Sequence, residues 1–235
     1  MRIAVLGAGK MGSALAHVWA QAGHRVVIGC RRELGAMAPL IAELGPGTRA
    51  MITRDAATWG EVIVLALPWA ARAQVAGSAD WLSGKMALDA MNPYAPYPKM
   101  VDLGGTTSSE MIASDLPRTR VVKGLNTLRA GDVLARGRPR GSAQRIAVPV
   151  CGNDAAAKWI VAGLVDDIGF DVIDIGALPN GRWSEPERPL FGRNCSASKL
   201  MELFRECSAP GIRDNGLGLK DRNDTIQIKC AINIS

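Results

Sequence analysis

An α/β fold with a doubly wound, mainly parallel sheet is predicted by three observations. Apolar, β-branched runs alternate with helix-length segments, as in a parallel sheet covered on both faces. A glycine-rich loop follows the first of these runs and opens a helix. With 48% apolar and 21% charged residues, the 235-residue chain can bury a core in one or two domains.

The elements follow in order. Arg2-Ile3-Ala4-Val5-Leu6 reads as the first strand. The helix after it carries Met11, Leu15, Val18, Trp19 and Ala22 on one face, a core stripe, and stops at Gly23. Further strands are placed near 25–29, 49–52, 61–66, 85–90, 119–124, 145–150 and 170–175. A second helix begins after Asn153-Asp154, which can cap it, and carries Trp159, Ile160, Ala162, Gly163, Leu164 and Ile168 before Gly169. A third runs from Ser196 to Cys207. Between 177 and 194 the composition shifts to Pro, Gly, Arg and Glu, which sets a soft boundary between residues 1–176 and 177–235. Near the end, Ile226, Ile228, Cys230, Ile232 and Ile234 alternate with polar residues as a half-buried strand would.

Several function classes lose their footing. The longest uncharged apolar run, 62–71, contains Pro68 and falls far short of the ~20 residues of a membrane span. The opening residues lack a secretory pattern, so a cytoplasmic protein is expected. Five cysteines without a C-x-x-C pair suggest reduced thiols, with neither a disulfide framework nor a metal site. The net charge of +6 is spread singly, which suits an anionic small molecule better than nucleic acid. Two histidines, His17 and His24, leave little material for a catalytic triad.

Gly7-Ala8-Gly9-Lys10-Met11-Gly12 is G-x-G-x-x-G between a strand and a helix, the context in which the pattern binds a dinucleotide. Gly7 allows the tight turn, Gly9 lets the pyrophosphate approach, and Gly12 permits close helix packing, with phosphates on the helix N-terminus. The second strand ends at Cys30-Arg31-Arg32, where an NAD enzyme presents an acid to the ribose. Two arginines there favour the 2′-phosphate of NADP(H), solvated loop residues being the plainer alternative. Strand four closes on Ala66-Leu67-Pro68-Trp69 and strand five on Asp89-Ala90-Met91-Asn92-Pro93. Strand six ends in Lys123-Gly124-Leu125-Asn126-Thr127-Leu128, so all three finish at the ligand-binding edge of the sheet.

These residues, with Val148-Pro149-Val150-Cys151-Gly152-Asn153-Asp154 and Asp174-Ile175-Gly176-Ala177-Leu178, resemble the coenzyme F420-dependent NADP oxidoreductases, a family of Rossmann-type NADPH-dependent reductases of a deazaflavin. The resemblance spans most of residues 1–176 and implies an NADP-binding domain there. Residues 177–235 would then form a small cap, acceptor-pocket or dimerisation segment. It implies hydride transfer between NADPH and coenzyme F420, in a homodimer. Gly7, Ala8, Gly9, Lys10, Met11, Gly12, Arg31, Arg32, Leu67, Pro68, Trp69, Asn92 and Leu128 would form the cofactor site. Asn126, Thr127 and Lys123 are the polar groups expected to bond a carbonyl of the acceptor ring. Hydride transfer between stacked rings asks chiefly for apposition and exclusion of water, which fits a chain without an evident acid–base pair. The alternatives are an NADPH-dependent reductase of another small acceptor (a flavin, quinone, metal chelate, carbonyl or imine) and a non-enzymatic NADP(H) sensor.

Overall fold

The computed structural model describes residues 1–31 and 34–209. The chain begins β1 (Arg2–Leu6), α1 (Lys10–Gln21), β2 (Arg25–Cys30), α2 (Ala38–Leu44), β3 (Thr48–Ile52), α3 (Thr53–Trp59) and β4 (Val62–Leu65). It continues with α4 (Arg72–Ala76), α5 (Ala79–Leu82), β5 (Met86–Asp89), α6 (Ser108–Asp115), β6 (Arg120–Lys123) and α7 (Ala130–Ala135). The last described elements are β7 (Ala147–Gly152), α8 (Ala155–Asp167), β8 (Asp171–Asp174) and α9 (Ala197–Ser208). The strands expected from the sequence are present, each shifted by two residues or fewer at its ends. The alternating segment from Thr225 onward, like Arg32, lies outside the described residues.

The strands form one sheet in the order β3-β2-β1-β4-β5-β6-β7-β8. β1 pairs in parallel with both β2 (Ile3 beside Val26) and β4 (Ile3 beside Val62). The chain therefore winds outward from β1 in one direction, returns, and winds outward in the other. This opens a crevice at the carboxyl ends of β1 and β4, the switch point where such sheets bind ligands. The parallel run stops at β6. β7 returns antiparallel, with Lys123 beside Cys151, and β8 follows β7 in parallel.

Side chains alternate between two cores, as strand geometry requires. Ile3, Val5, Val26, Ile28, Val64 and Leu88 face α1 and α8 on one side. Ala4, Leu6, Ile63, Leu65 and Ala87 face α3, α6 and α9 on the other. Trp19 ties α1 to α8 by donating from Nε1 to the Leu164 carbonyl at 2.9 Å.

One expected helix face needs correction, on α1, and α8 turns two of its named residues outward. α8 buries Ala157, Val161, Leu164 and Val165, whereas Gly163 is exposed and Trp159 is 80% exposed. At 3.6 residues per turn, Trp159 lies roughly 200° around the helix from Ala157. On α1, Leu15 and Trp19 are buried, but Ala22 caps the helix and faces outward. From residue 178 to 208 the described chain stays on the sheet. A 3₁₀ stretch, Leu178–Ser184, packs against α6 and β7, and α9 packs against β7 and β8. Among the described residues no helix is long and apolar enough to cross a membrane.

Candidate active site

The first half of the site follows from the loop between β1 and α1. Gly7 adopts φ +119°, and a Cβ there would lie 2.3 Å from the Ala66 carbonyl oxygen, so β1 and the end of β4 approach within a distance only glycine allows. At Gly12 a Cβ would lie 2.0 Å from the Gly7 carbonyl oxygen, so the third glycine of the motif makes room for the loop itself as well as for the sheet. Gly9 differs. Its Cβ would meet nothing within 4 Å, and no side chain caps the helix that starts beside it. The first N–H groups of α1 have no carbonyl partner within the helix and stand over open space. That is the arrangement a pyrophosphate needs.

A cavity of about 550 Å³ opens beside this loop. Gly7, Ala8 and Gly9 form one wall and Gly29, Cys30 and Arg31, at the end of β2, form another. Leu67 contributes from the end of β4. The far wall, Gln74, Val75, Ser78 and Trp81, comes from α4, α5 and the turn between them and was not expected from the sequence. Those residues belong to no motif; they reach the cavity because the chain after β4 folds back across the crevice. Arg31 is exposed at the rim. The fit to NADP(H) rests on this geometry: bare amides, a wide apolar slot, and a guanidinium where the sheet places the adenosine ribose.

Other expected cofactor residues are placed differently. Lys10 is exposed at the start of α1, and Met11 is half-buried against the core. Pro68 is exposed and leads into the 3₁₀ turn Trp69–Ala71. Trp69 belongs to the core and does not line the cavity. The Arg72 guanidinium sits 5.7 Å from the centre of its ring and is itself held by both oxygens of Asp115. Leu128 likewise joins the core.

The second half of the site is built on the ends of β5 and β6. Lys123 and Asp89 are fully buried, with Nζ to Oδ2 at 3.2 Å. The same ammonium donates to the Met91 carbonyl at 2.6 Å and to Ser108 Oγ at 3.2 Å, so its three hydrogens are all used. Asp89 also accepts from Ser109 Oγ at 2.5 Å and from the Met91 N–H at 3.0 Å. This corrects the expectation for Lys123: with all three hydrogens used inside the fold, it is not a direct donor to an acceptor ring. It is a strut that fixes the turn carrying Asn92. Cys151 lies beside it on β7, and burial pushes that thiol up to about 12.

Asn92 and Asn126 clasp each other across this edge. Asn92 Nδ2 donates to the Asn126 carbonyl at 2.9 Å, and Asn126 Nδ2 donates to Asn92 Oδ1 at 3.1 Å. Asn126 Nδ2 also donates to the Ser184 carbonyl at 2.7 Å. Leu125, just before it, adopts φ +61°, a left-handed conformation that costs a branched residue of order 1–3 kcal/mol. Thr127 is buried in the same turn. Glu185, next to Ser184, accepts from the Ser108 N–H at 2.6 Å. The segment after 177 thus contributes two anchoring contacts that no sequence motif announced.

A family model described as NADP oxidoreductase, coenzyme F420-dependent, matches residues 2–93. A crystal structure of a candidate F420-dependent NADP-reductase from Arthrobacter sp. FB24 is 34% identical, covers 77% of this chain and 87% of its own, and superposes with a TM-score of 0.68. A hypothetical protein of Sinorhizobium meliloti is 31% identical, with 83% of this chain and 94% of its own covered and a TM-score of 0.74. The rat metalloreductase STEAP3 is 28% identical over 77% of this chain. The chain spans 35% to 48% of the length of the curated relatives it matches.

Proposed function

Since this chain belongs to the family of coenzyme F420-dependent NADP oxidoreductases, we propose that it is an NADP(H)-dependent reductase passing hydride between NADPH and a flat heteroaromatic acceptor, the deazaflavin coenzyme F420. One observation carries the reading: the uncapped start of α1 opens onto a slot of about 550 Å³ with Arg31 at its rim. When bound, the nicotinamide supplies the hydride. The chain's own residues bind, orient and keep out water. The amides of α1 hold the pyrophosphate, Arg31 holds the 2′-phosphate, and the turns after β5 and β6, braced by Lys123, hold the reactive end. Neither half requires an acid or base, because hydride transfer between two rings needs alignment at about 3–3.5 Å.

The test is NADPH oxidation by the purified protein against coenzyme F420, riboflavin, a ferric chelate, a quinone and an imine, repeated with NADH. Oxidation that is fastest with F420 and prefers NADPH supports the reading. NADPH binding without turnover would leave a nucleotide sensor. The 28% identity to STEAP3 favours one second reading, in which the electrons end on a metal chelate; faster oxidation with the ferric chelate than with F420 would select it.

A further inference from the structure

Helix α8 turns toward solvent two residues that a free surface disfavours. Trp159 stands 80% exposed, on the side away from the buried Val161 and Leu164. Gly163, one turn further, is exposed as well, and a Cβ there would meet nothing within 4 Å. A glycine inside a helix is destabilising relative to alanine, and no contact within the described chain asks for one at this position. The exposed Ala155 and Ala156 and the half-buried Ala162 extend the same side. The surface thus carries a large apolar knob beside a bare stretch of backbone. A cavity of about 440 Å³ opens where this side of the helix ends, with Leu134, Arg138, Arg140, Asp166 and Asp167 among its walls. Leu134 is exposed there, and so is the Arg140 guanidinium, which Asp166 holds. Asp166 follows Trp159 by about two helical turns, so both lie on one side of α8.

We infer that a second copy of this chain covers this face, with two α8 helices crossing antiparallel at Ala162–Gly163 and Trp159 of each copy seated over the Leu134–Arg140–Asp166 cavity of the other. Trp159 and Asp166 lie symmetrically about the Ala162–Gly163 bond, so reversing the helix direction brings one onto the other. Gly163 then stands at the crossing, where a missing side chain lets two backbones approach. The groups that meet are complementary. The indole offers an N–H donor and a π face, while the cavity offers the Asp166 and Asp167 carboxylates as acceptors and the Arg138 and Arg140 guanidiniums to lie on the ring. The antiparallel sense also sets the positive N-terminal end of each α8 beside the acidic C-terminal end of the other. Knob, notch and cavity all belong to one surface, which is what a two-fold contact requires, and such a contact closes at two copies. It places the contact on the nucleotide-binding domain and not on residues 177–235, and it holds whichever acceptor the protein reduces.

A contact built on one helix pair is small, near the lower bound of ~1,200 Å² for specific interfaces, so a dissociation constant of about micromolar is expected. Sedimentation velocity on the full chain across the micromolar range should show a reversible dimer. Trp159→Ala should weaken it about thirtyfold or more, the scale of a tryptophan truncated at the centre of an interface. Gly163→Gln should weaken it too, by holding the helices apart, yet leave the melting temperature unchanged or higher, because the new side chain meets nothing within the chain and a helical glycine is lost. Calorimetry should find NADP⁺ binding unaltered in both variants, since α8 contributes nothing to the walls of the cavity beside Gly7. A wild-type monomer throughout that range overturns the inference, whatever else covers the face. So does a dimer that either substitution leaves unweakened, which would put the contact on another surface. Absence of NADP⁺ binding by the wild type counts against the proposed function alone.

Discussion

A methyl group added at Gly12 would sit 2.0 Å from the Gly7 carbonyl oxygen, whereas one added at Gly9 would touch nothing. Two glycines of one motif therefore answer to different demands, folding in the first case and ligand access in the second. Gly12→Ala should destabilise the protein by about 1–3 kcal/mol, the range for forced overpacking, as read by urea unfolding. Gly9→Val should leave the melting temperature nearly unchanged and weaken NADPH binding at least about tenfold, since its branches fill the space over the α1 amides. An unchanged dissociation constant would remove the pyrophosphate from this loop. Arg31→Ala should cost NADPH about tenfold or more in affinity, the scale of one charged hydrogen bond, and spare NADH. Equal losses for both nucleotides would contradict its assignment to the 2′-phosphate.

The β5–β6–β7 edge holds a buried charge pair, Lys123 with Asp89, where the sequence suggested a group that binds the acceptor. Replacing one partner leaves the other charged and enclosed, so Lys123→Met should destabilise by about 3–5 kcal/mol in urea unfolding. Cys151 adds a pH dependence at the same place. Burial lifts its thiol from the usual 9.0 to about 12. An acid whose folded value is raised contributes its full stability below the unfolded value and loses it as pH rises through the folded one. Between pH 9 and about 12 the unfolded chain ionises this thiol and the folded chain resists. Stability should therefore fall over that interval, and less steeply in Cys151→Ala; identical slopes for the two proteins would place the thiol in contact with water.

At the scale of the whole molecule, the family resemblance points to a homodimer, which light scattering should show as twice the chain mass; a monomer at micromolar concentration would count against it. The eight strands, the helix after β1, the Asp154 cap of α8 and the glycine loop were legible in the sequence because each rests on local rules: strand alternation, helix periodicity, capping chemistry and a motif with fixed offsets. The outward turn of Trp159 was not, since apolar character alone does not say which side of a helix meets the sheet. Nor was the cavity wall from α4 and α5, the Lys123–Asp89 strut or the Ser184 contact to Asn126, each joining residues far apart along the chain. The sequence by itself determined which elements form and where phosphates would sit, because those depend on near neighbours. Only the tertiary structure decided which polar groups are spent inside the fold, among them the Asn92–Asn126 clasp and its contact to Ser184, because hydrogen-bond partners are assigned by the meeting of distant strand ends.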